Sequence, residues 1–422
     1  MNVMTLLSAV VRGTMDWPSF VRRLLVPLLL VELAVTAVIV LGARFTNIDW
    51  RAYMQEVEGP VVHGTWDYAQ LRGETGPLVY PGGFVVLYAT LRLLAGGDGT
   101  DVRMAQWAFA AVYMATLTIV VTCYSRARPR GTPPWCVVLF CCASLRLRSI
   151  YLLRLFNDCW AMLLFWLAAL LFCGARWRWG CFSYSLAVSI KANVLLSAPG
   201  LLVLLLQAHG PVGAFWHVVL CAFVQLVLGL PFLLANPLAY IKASLGGFGD
   251  LKHKWTVGWK FVPSEVFHAP GFPLALLVVH VTLLLFLAAR RWTVREGGLR
   301  SLGALRSDRA APRLSPEHVL VTLLSCNWVG ILCARSLHFQ FYCWYLHSVP
   351  LLLWRCDRLA LPPKLLCYFL LEYAWSYGLE RVEGTSTPLS SAALQLAHAI
   401  ILYAVIWADP PQTFLEEKHR RA

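Results

Sequence analysis

Long apolar segments, separated by short polar or charged ones, follow one another along almost the whole chain. The runs lie at about 24–43, 79–95, 104–124, 134–152, 158–174, 181–206, 213–235, 272–290, 318–335, 338–354, 361–377 and 389–408. A bilayer core of roughly 30 Å needs about 20 apolar residues per helix. A β-barrel would need short strands of alternating hydrophobicity, whereas these runs are continuously apolar and rich in leucine. The pattern predicts an all-α polytopic membrane protein with about twelve transmembrane helices.

Charged residues predict how these segments are oriented in the membrane. Arginines precede the first run, at Arg12, Arg22 and Arg23, so the positive-inside rule places them in the cytosol. Segment 44–78 is then the first lumenal loop, and it carries five acids against three arginines. The same count places a second long loop, 236–271, in the lumen and the basic loop 291–317 in the cytosol.

Two basic stretches contradict this simple count. "RARPR" (126–130) and "RWRW" (176–179) would fall in the lumen. Either the run 79–95 does not fully cross, or the run 181–206, which a lysine and a proline interrupt, forms two half-spans. The sequence leaves both possibilities open.

Composition supports a single membrane domain over 1–422. Hydrophobic residues make up 59% of the chain, charged residues 14%, and the mean hydropathy is +0.62. A net charge of +14 would suggest nucleic-acid binding in a soluble protein. Here the arginines flank apolar runs, so membrane topology explains the charge and no nucleic acid is expected as a partner. The 13 cysteines show no zinc-like spacing and are predicted to be small buried hydrophobes.

The stretch "NIDWRAYMQEVEG" (47–59) follows the first span with acids and aromatics instead of a short turn. If 48–58 is helical, Asp49, Tyr53 and Glu56 share one face. Trp50, Met54 and Val57 then form an apolar stripe about 100° away. Such a helix is predicted to lie flat at the membrane interface, with its carboxylates facing the protein. A solvated loop helix with ordinary surface acids is the alternative.

The rest of the first loop, "GTWDYAQLRGETGPLVYPGGF" (64–84), is punctuated by glycine and proline, so an irregular but stiffened segment is expected. Asp67, Tyr68 and Tyr80 are its candidate substrate contacts. The glycines do not form a nucleotide-binding pattern and could serve only as turn formers.

Ionisable residues also stand within or beside the apolar runs. "YLLRLFND" contains Arg154, Asn157 and Asp158, and "SIKANVLL" contains Lys191. A charge at bilayer depth is costly and normally faces a cavity or a partner, which favours a functional role. The alternative is a structural ion pair, for example Arg154 with Asp158 at i and i+4.

Two further segments offer groups that suit a phosphate and a sugar. The turn "ARSLHFQFYCWYLH" (334–347) contributes Arg335, His338, Gln340 and Tyr345. In 236–271, Trp255 and nearby lysines could stack on a sugar or contact an anionic headgroup. Ordinary interfacial anchoring by aromatic and basic side chains is the alternative for both segments.

Taken together, several stretches resemble a known family. They are "IDWRAYMQEVEG", "GTWDYAQLRGETGPLVYPGGF", "RMAQWAFAAVYMATL", "YLLRLFND", "LAVSIKANVLLSAPGLL", "GLPFLLANPLAYI", "HKWTVGWKFVP" and "SLHFQFYCWYLHSVPLLLW". In this order, from about residue 47 to 355, they resemble the dolichyl-phosphate-mannose-dependent α-1,3-mannosyltransferases of asparagine-linked glycosylation. The tail "KHRRA" departs from the lysine-based retrieval signal that relatives often carry.

The resemblance implies a GT-C fold in the endoplasmic reticulum membrane. The implied reaction moves mannose from dolichyl phosphate mannose to the pentamannosyl lipid-linked oligosaccharide, in the lumen and with inversion. Asp49 matches the position of the general base, with Glu56 and Asp67 in reserve. Arg154, Lys191, Arg335 and His338 are candidates to stabilise the leaving phosphate. No DxD motif stands in the loop, so a metal-independent reaction without a cofactor is expected.

Two other functions remain open from the sequence. Another GT-C mannosyltransferase would keep the fold and donor but change the acceptor, and the texts of the first loop and of "HFQFYCWY" favour the α-1,3 enzyme. A transporter or lipid scramblase would predict inverted repeats with matched helix breaks, whereas one such break is visible, near Lys191.

Overall fold

The protein is almost entirely helical in the computed structural model, which describes residues 15–246, 252–302, 313–376 and 386–415. The α-helices are α1 (Trp17–Gly42), α2 (Trp50–Glu56), α3 (Gly82–Leu94), α4 (Val102–Ala127), α5 (Pro134–Cys142), α6 (Leu145–Arg148), α7 (Asp158–Cys173), α8 (Trp177–Ile190), α9 (Ala198–Ala235), α10 (Pro237–Gly246), α11 (Ser264–His268), α12 (Gly271–Leu287), α13 (Leu299–Leu302), α14 (Pro316–Leu332), α15 (Val349–Trp354), α16 (Leu361–Ser376) and α17 (Pro388–Trp407). The strands β1 (Arg72–Gly73) and β2 (Gly76–Pro77) form a small antiparallel hairpin in the first loop.

Shorter helical turns join these elements. The π-helical turns are Gly59–His63, Ser149–Leu153 and Ala288–Trp292; the 3₁₀ turns are Ala192–Ser197, His253–Trp255, Val294–Glu296, Phe339–Trp344 and Leu346–Ser348. Side-chain caps fix several helix starts. Asp16 accepts from Ser19 N, and Asp101 accepts from Met104 N. Thr387 and Ser390 form a reciprocal capping box at α17.

Five helical segments of the described chain are long and apolar enough to cross a membrane. They are Trp17–Gly42, Val102–Ala127, Ala192–Ala235, Gly271–Trp292 and Pro388–Trp407. A sixth results if α5 and Leu145–Leu153, bent by 51°, form one broken span. Helices α3 and α7 are shorter and apolar. These features confirm a helical polytopic membrane protein.

Two of the predicted runs contain 3₁₀ turns. In the run 181–206, helix α8 ends at Ile190 and Lys191 is extended, with φ −153° and ψ 123°, before the chain resumes as a 3₁₀ turn. The break therefore falls at Lys191, whose side chain has partners in the interior. The run 338–354 begins with 3₁₀ turns and becomes α-helical only at Val349. Phe341 and Trp344, on the first and more tightly wound 3₁₀ turn of this run, pack against the Lys191 ammonium.

Both ends of α3 lie at the end of the bundle that carries loop 44–78, here called the first-loop end. At the start of α3, Gly82 N donates to the hydroxyl of Tyr240 in segment 236–271. Near its other end, Arg92 donates to the carbonyls of Met54 and Asp98. A helix of 13 residues spans only about 20 Å. This placement favours the alternative in which 79–95 does not fully cross.

The basic stretches 126–130 and 176–179, which contradicted the count of spans, lie at the opposite end of the bundle, here called the basic end. Trp17, which begins α1, donates from Nε1 to the carbonyl of Thr132 at 2.9 Å. Arg130 N donates to Glu317 near the start of α14. The thiol of Cys173, just before "RWRW", reaches the carbonyl of Pro316. Both stretches thus lie beside the start of α1, as the positive-inside rule requires.

Close contact between α3 and α8 depends on a glycine. A Cβ added at Gly83 would lie 2.0 Å from Ser189 Oγ and 2.6 Å from Ser189 Cβ. Small residues at such crossings allow helices in membranes to approach closely. The contact places the start of α3 directly beside the end of α8, where Lys191 follows.

Gly83→Ala is predicted to destabilise the protein by about 1–3 kcal/mol, because the new methyl group overpacks the crossing at Ser189. Thermal unfolding in detergent measures this. Gly42→Ala is the control, since a Cβ at Gly42 meets nothing within 4 Å. Equal stability of the two variants would contradict the close crossing.

Candidate active site

Asp49 stands at the start of α2, with its side chain turned toward the helix face predicted from the sequence. Tyr53, one turn later, donates from its hydroxyl to Asp49 Oδ2 at 3.2 Å. The Asp49 carboxylate does not cap its own helix. Arg51 N instead donates to Asn47 Oδ1, so a neighbour replaces it in that role. The Asp49 carboxylate is therefore available for chemistry while Tyr53 orients it.

The apolar stripe of α2 packs against other parts of the protein. Trp50, Met54 and Val57 are each 4% exposed or less. The Trp50 indole donates to the carbonyl of Gly99 at 3.0 Å and meets Phe109 of α4 edge-on. Helices α3 and α4 cover the stripe, so it does not face lipid, and the position of α2 at the membrane interface stays a prediction. Helix α2 is consequently a fixed part of the core.

A buried ion pair lies beneath α2. Lys191 Nζ is 2.7 Å from Asp158 Oδ2, and Asp158 is fully buried. Lys191 also donates to Asn157 Oδ1 at 3.1 Å, and the Trp344 indole donates to Asp158 Oδ1. Arg154 instead donates to Ser149 Oγ, so the alternative pairing of Arg154 with Asp158 is wrong. The lysine at the helix break is thus held by charge and hydrogen bonds.

The carboxylate of Asp49 and the ion pair belong to one chain of polar contacts. The Tyr53 hydroxyl lies 3.5 Å from Asn157 Oδ1, which also accepts from Lys191. We call Asp49, Tyr53, Asn157, Asp158 and Lys191 the polar network. It joins the first loop, the start of α7 and the end of α8 into one site.

Aromatic rings surround the Lys191 ammonium. Its Nζ lies 5.1 Å from the ring centre of Phe341, 5.5 Å from that of Tyr80 and 5.8 Å from that of Trp344. Phe341 and Trp344 stack on each other, with ring centres 3.8 Å apart. Flat apolar faces beside fixed polar groups suit a sugar ring and a phosphate.

Burial changes the acid strength of Asp49. Desolvation raises the pKa of its carboxyl, while the charge of Lys191 and the Tyr53 hydrogen bond act in the opposite direction. A carboxylate with a raised pKa is a stronger base than a solvated one. Asp49 is thereby suited to receive a proton from a hydroxyl group.

Glu56 lies on the same face of α2 as Asp49. Its side chain is buried, and Oε2 has no hydrogen-bond partner. Burial, with a contribution from the charge of Asp49, raises the pKa of Glu56 to about 9. At neutral pH this carboxyl carries its proton and can donate a hydrogen bond. It is therefore less suited than Asp49 to act as the base.

Three other predicted residues border the network or support it. Tyr68 donates from its hydroxyl to the carbonyl of Tyr80 at 2.9 Å and so ties the first loop together. His338 packs against Phe341, and burial together with the charge of Lys191 lowers the pKa of His338 to about 4. A neutral imidazole beside the network can donate or accept a hydrogen bond.

The remaining predicted residues make contacts outside the polar network. Asp67 accepts from Ala69 N and Gln70 in its own turn. Arg335 lies over the ring of Phe267, and Trp255 is 42% exposed. The Gln340 carbonyl accepts from the thiol of Cys343. The hydroxyl of Tyr345 accepts from Trp375 and contacts His398.

Residues that sequence reasoning left out complete the site. They are Phe341 and Trp344, on the Phe339–Trp344 turn. The aromatic density of "HFQFYCWY" was the available signal, but an interfacial belt explained it equally well. Within the described residues, no group of three or more His, Cys, Asp or Glu side chains could hold a metal ion.

The buried ion pair should be strongly coupled. Lys191→Met or Asp158→Asn alone is predicted to cost about 3–5 kcal/mol of unfolding free energy, because each removes one partner of a buried pair. The double variant should recover part of this loss. Unfolding in detergent measures the cycle. The exposed pair Arg51 and Glu74, removed as Arg51→Met and Glu74→Gln, should show coupling of about 0–1 kcal/mol. Additive losses at the buried pair would contradict its assignment.

Glu56 should make the protein less stable as pH rises. Its pKa is about 9 in the folded state against an ordinary value of 4.5, so this contribution is complete below pH 4.5 and is lost as pH rises to 9. The steepest slope is about 1.4 kcal/mol per pH unit. Glu56→Gln should flatten the pH dependence of thermal unfolding between pH 5 and 9. An unchanged slope in the variant would show that Glu56 does not titrate abnormally.

Comparison with known proteins assigns the chain to a family. The family model "ALG3 protein" matches residues 26–378. A human Dol-P-Man:Man(5)GlcNAc(2)-PP-Dol alpha-1,3-mannosyltransferase is 45% identical over 93% of this chain and 88% of its own length. The mouse and Arabidopsis thaliana proteins of that name are 43% and 38% identical over 91% of the chain, covering 86% and 87% of their lengths. No solved structure matches the chain. The chain belongs to the ALG3 protein family.

Proposed function

We propose that this chain transfers mannose from dolichyl phosphate mannose to the pentamannosyl oligosaccharide on diphosphodolichol, forming an α-1,3 linkage. Relatives named for this reaction match nearly the whole chain. The structural observation that carries the proposal is the polar network. It holds a buried carboxylate, a fixed cation and aromatic faces together below the first loop.

Asp49 is the general base in this proposal. The acceptor 3-hydroxyl gives its proton to the Asp49 carboxylate while its oxygen forms a bond to C1 of mannose. The bond between C1 and the phosphate oxygen breaks, and its electron pair leaves with dolichyl phosphate. A single displacement of this kind inverts a β-linked donor to an α-linked product. The Tyr53 hydrogen bond aims the carboxylate, and burial strengthens it as a base.

Lys191 and its aromatic surroundings bind the mannosyl group and its phosphate. The ammonium is fixed between Asn157 and Asp158, so little reorganisation is needed when negative charge develops on the leaving oxygen. Tyr80, Phe341 and Trp344 offer ring faces to the sugar. A phosphate ester leaves without a metal ion when enough positive charge is fixed nearby, so we propose a metal-independent reaction.

The proposal includes a GT-C membrane domain with the first-loop end in the lumen of the endoplasmic reticulum. If α3 stays at that end, and 192–235 crosses twice around the kink at Gly210, the helical segments supply about twelve crossings. Loop 44–78 is then catalytic, 236–271 is a second lumenal loop, and 291–317 is cytosolic. Positive charge at the basic end supports this orientation.

The test is a transfer assay with purified protein, dolichyl phosphate mannose, EDTA and two lipid-linked acceptors, one pentamannosyl and one hexamannosyl. We expect transfer to the pentamannosyl acceptor alone, with one new α-1,3 linkage identified by NMR. Transfer only to the hexamannosyl acceptor would assign the chain to another step. An absence of transfer to both would contradict the proposed reaction, and activity that returns only with added divalent metal would contradict metal independence.

A further inference from the structure

A second cationic site lies beside the polar network. Arg146, in the short helix α6, is 2% exposed. Its Nε and Nη1 atoms are buried and have no hydrogen-bond partner. Buried guanidinium groups are normally paired, since an unmet charged donor costs more than a neutral one. Two buried guanidinium nitrogens without partners therefore point to a site for an anionic group.

The surroundings of Arg146 compensate its charge only in part. No carboxylate oxygen of the described residues lies within 4.0 Å of Arg146 or Arg154. Arg154 is near enough for the two charges to repel each other. Glu372 also interacts with Arg146, but its Oε1 accepts from Tyr342 at 2.7 Å. Within the part of the chain that the structure describes, Arg146 and Arg154 have only Glu372 as a nearby acid, so the group keeps a net positive charge.

The same 3₁₀ turn connects this site to the polar network. The Arg146 guanidinium lies 4.7 Å from the ring centre of Phe339, at the start of the turn. Two residues on, the ring of Phe341 faces Lys191. Arg146 is thus adjacent to the proposed reaction centre, and Asp49 belongs to another part of that centre, in the first loop.

Apolar side chains near Arg146 are exposed on the outside of the helical bundle. Leu145, next to Arg146, is 73% exposed, and Phe369 on α16 is 63% exposed. Both are apolar residues at the outer surface of the helical bundle. A ligand that places a phosphate at Arg146 could therefore leave a polyprenyl chain along this apolar surface.

We propose that Arg146, assisted by Arg154, binds the phosphate of the dolichyl-phosphate donor and holds it as the sugar leaves. This inference rests on the proposed function for its ligand. Lys191 shares its charge with Asp158, so the two arginines add positive charge for the leaving phosphate. A guanidinium also offers paired N–H groups that match phosphate oxygens. The acceptor diphosphate has the same chemistry, so the experiment must separate the two lipids.

The first readout is binding without catalysis. A short-chain polyprenyl phosphate should raise the thermal stability of the wild-type protein in detergent, whereas the corresponding polyprenol should not. In Arg146→Gln the shift caused by the phosphate should be lost. Arg148→Lys is the matched control, because Arg148 stands two residues away and is paired with Glu32 at 2.7 Å. It should keep the full shift.

The second readout is steady-state kinetics with each lipid varied in turn. Arg146→Gln should raise the donor KM by about 10-fold or more, as expected when a charged hydrogen bond is lost, and leave the acceptor KM unchanged. Arg146→Lys keeps the charge but loses the paired donors and should have an intermediate effect. If Arg146→Gln does not fold, Arg146→Lys and Arg154→Gln provide the same comparison.

Three outcomes overturn the inference. They are an unchanged phosphate-induced shift in Arg146→Gln, an equal loss in Arg148→Lys, and a rise in acceptor KM without a rise in donor KM. A wild-type protein that binds the polyprenyl phosphate through Arg146 but transfers no mannose would uphold this site and contradict the proposed reaction. The two failures are therefore distinguishable.

Discussion

The ion pair between Lys191 and Asp158 is the interaction on which the site depends. Both groups are buried, and each would be costly to bury without the other. The pair also explains the local backbone. Helix α8 stops at Ile190 and α7 starts at Asp158, so two helix ends meet where the charges need partners. Membrane helices tolerate such a break only where side chains satisfy it from the interior.

From this pair, a chain of polar contacts extends to Asp49, the proposed base. Asn157 joins the pair to Tyr53, and Tyr53 aims Asp49. The same burial that strengthens Asp49 as a base keeps Glu56 neutral, so two carboxyls on one short helix have different roles. On the other side, the 3₁₀ turn that carries Phe341 leads to Arg146. The proposed base Asp49 and the two cations Lys191 and Arg146 thus occupy separate parts of the proposed site.

The sequence predicted a helical membrane protein because its apolar runs are long and unambiguous, while the number of crossings stays a prediction. It singled out Asn157, Asp158 and Lys191 because ionisable or amide groups at membrane depth need an explanation, and Asp49 because the first loop is acidic and resembles a known family. It could not pair them correctly. Asp158 lies four residues after Arg154, but its partner is Lys191, 33 residues away. Spacing along one helix says nothing about which neighbouring helix supplies the charge.

Burial was the other quantity that the sequence could not supply. The stripe of Trp50, Met54 and Val57 has the pattern of an interfacial helix, and only the positions of α3 and α4 show that protein covers it. In the same way, Glu56 and Asp49 look equivalent in sequence. Nothing in the sequence distinguishes Arg146, because an arginine beside an apolar run is ordinary. Only the three-dimensional structure shows that its Nε and Nη1 atoms have no hydrogen-bond partner.

The most direct test of the account is the single-turnover rate of mannosyl transfer by Asp49→Asn, at saturating donor and acceptor. Asparagine keeps the shape of Asp49 and its contact with Tyr53 but cannot take the proton. We predict a rate at least about 10²-fold below that of the wild type, with thermal stability and donor KM unchanged. A variant that transfers mannose at the wild-type rate would contradict the assignment of Asp49 as the base.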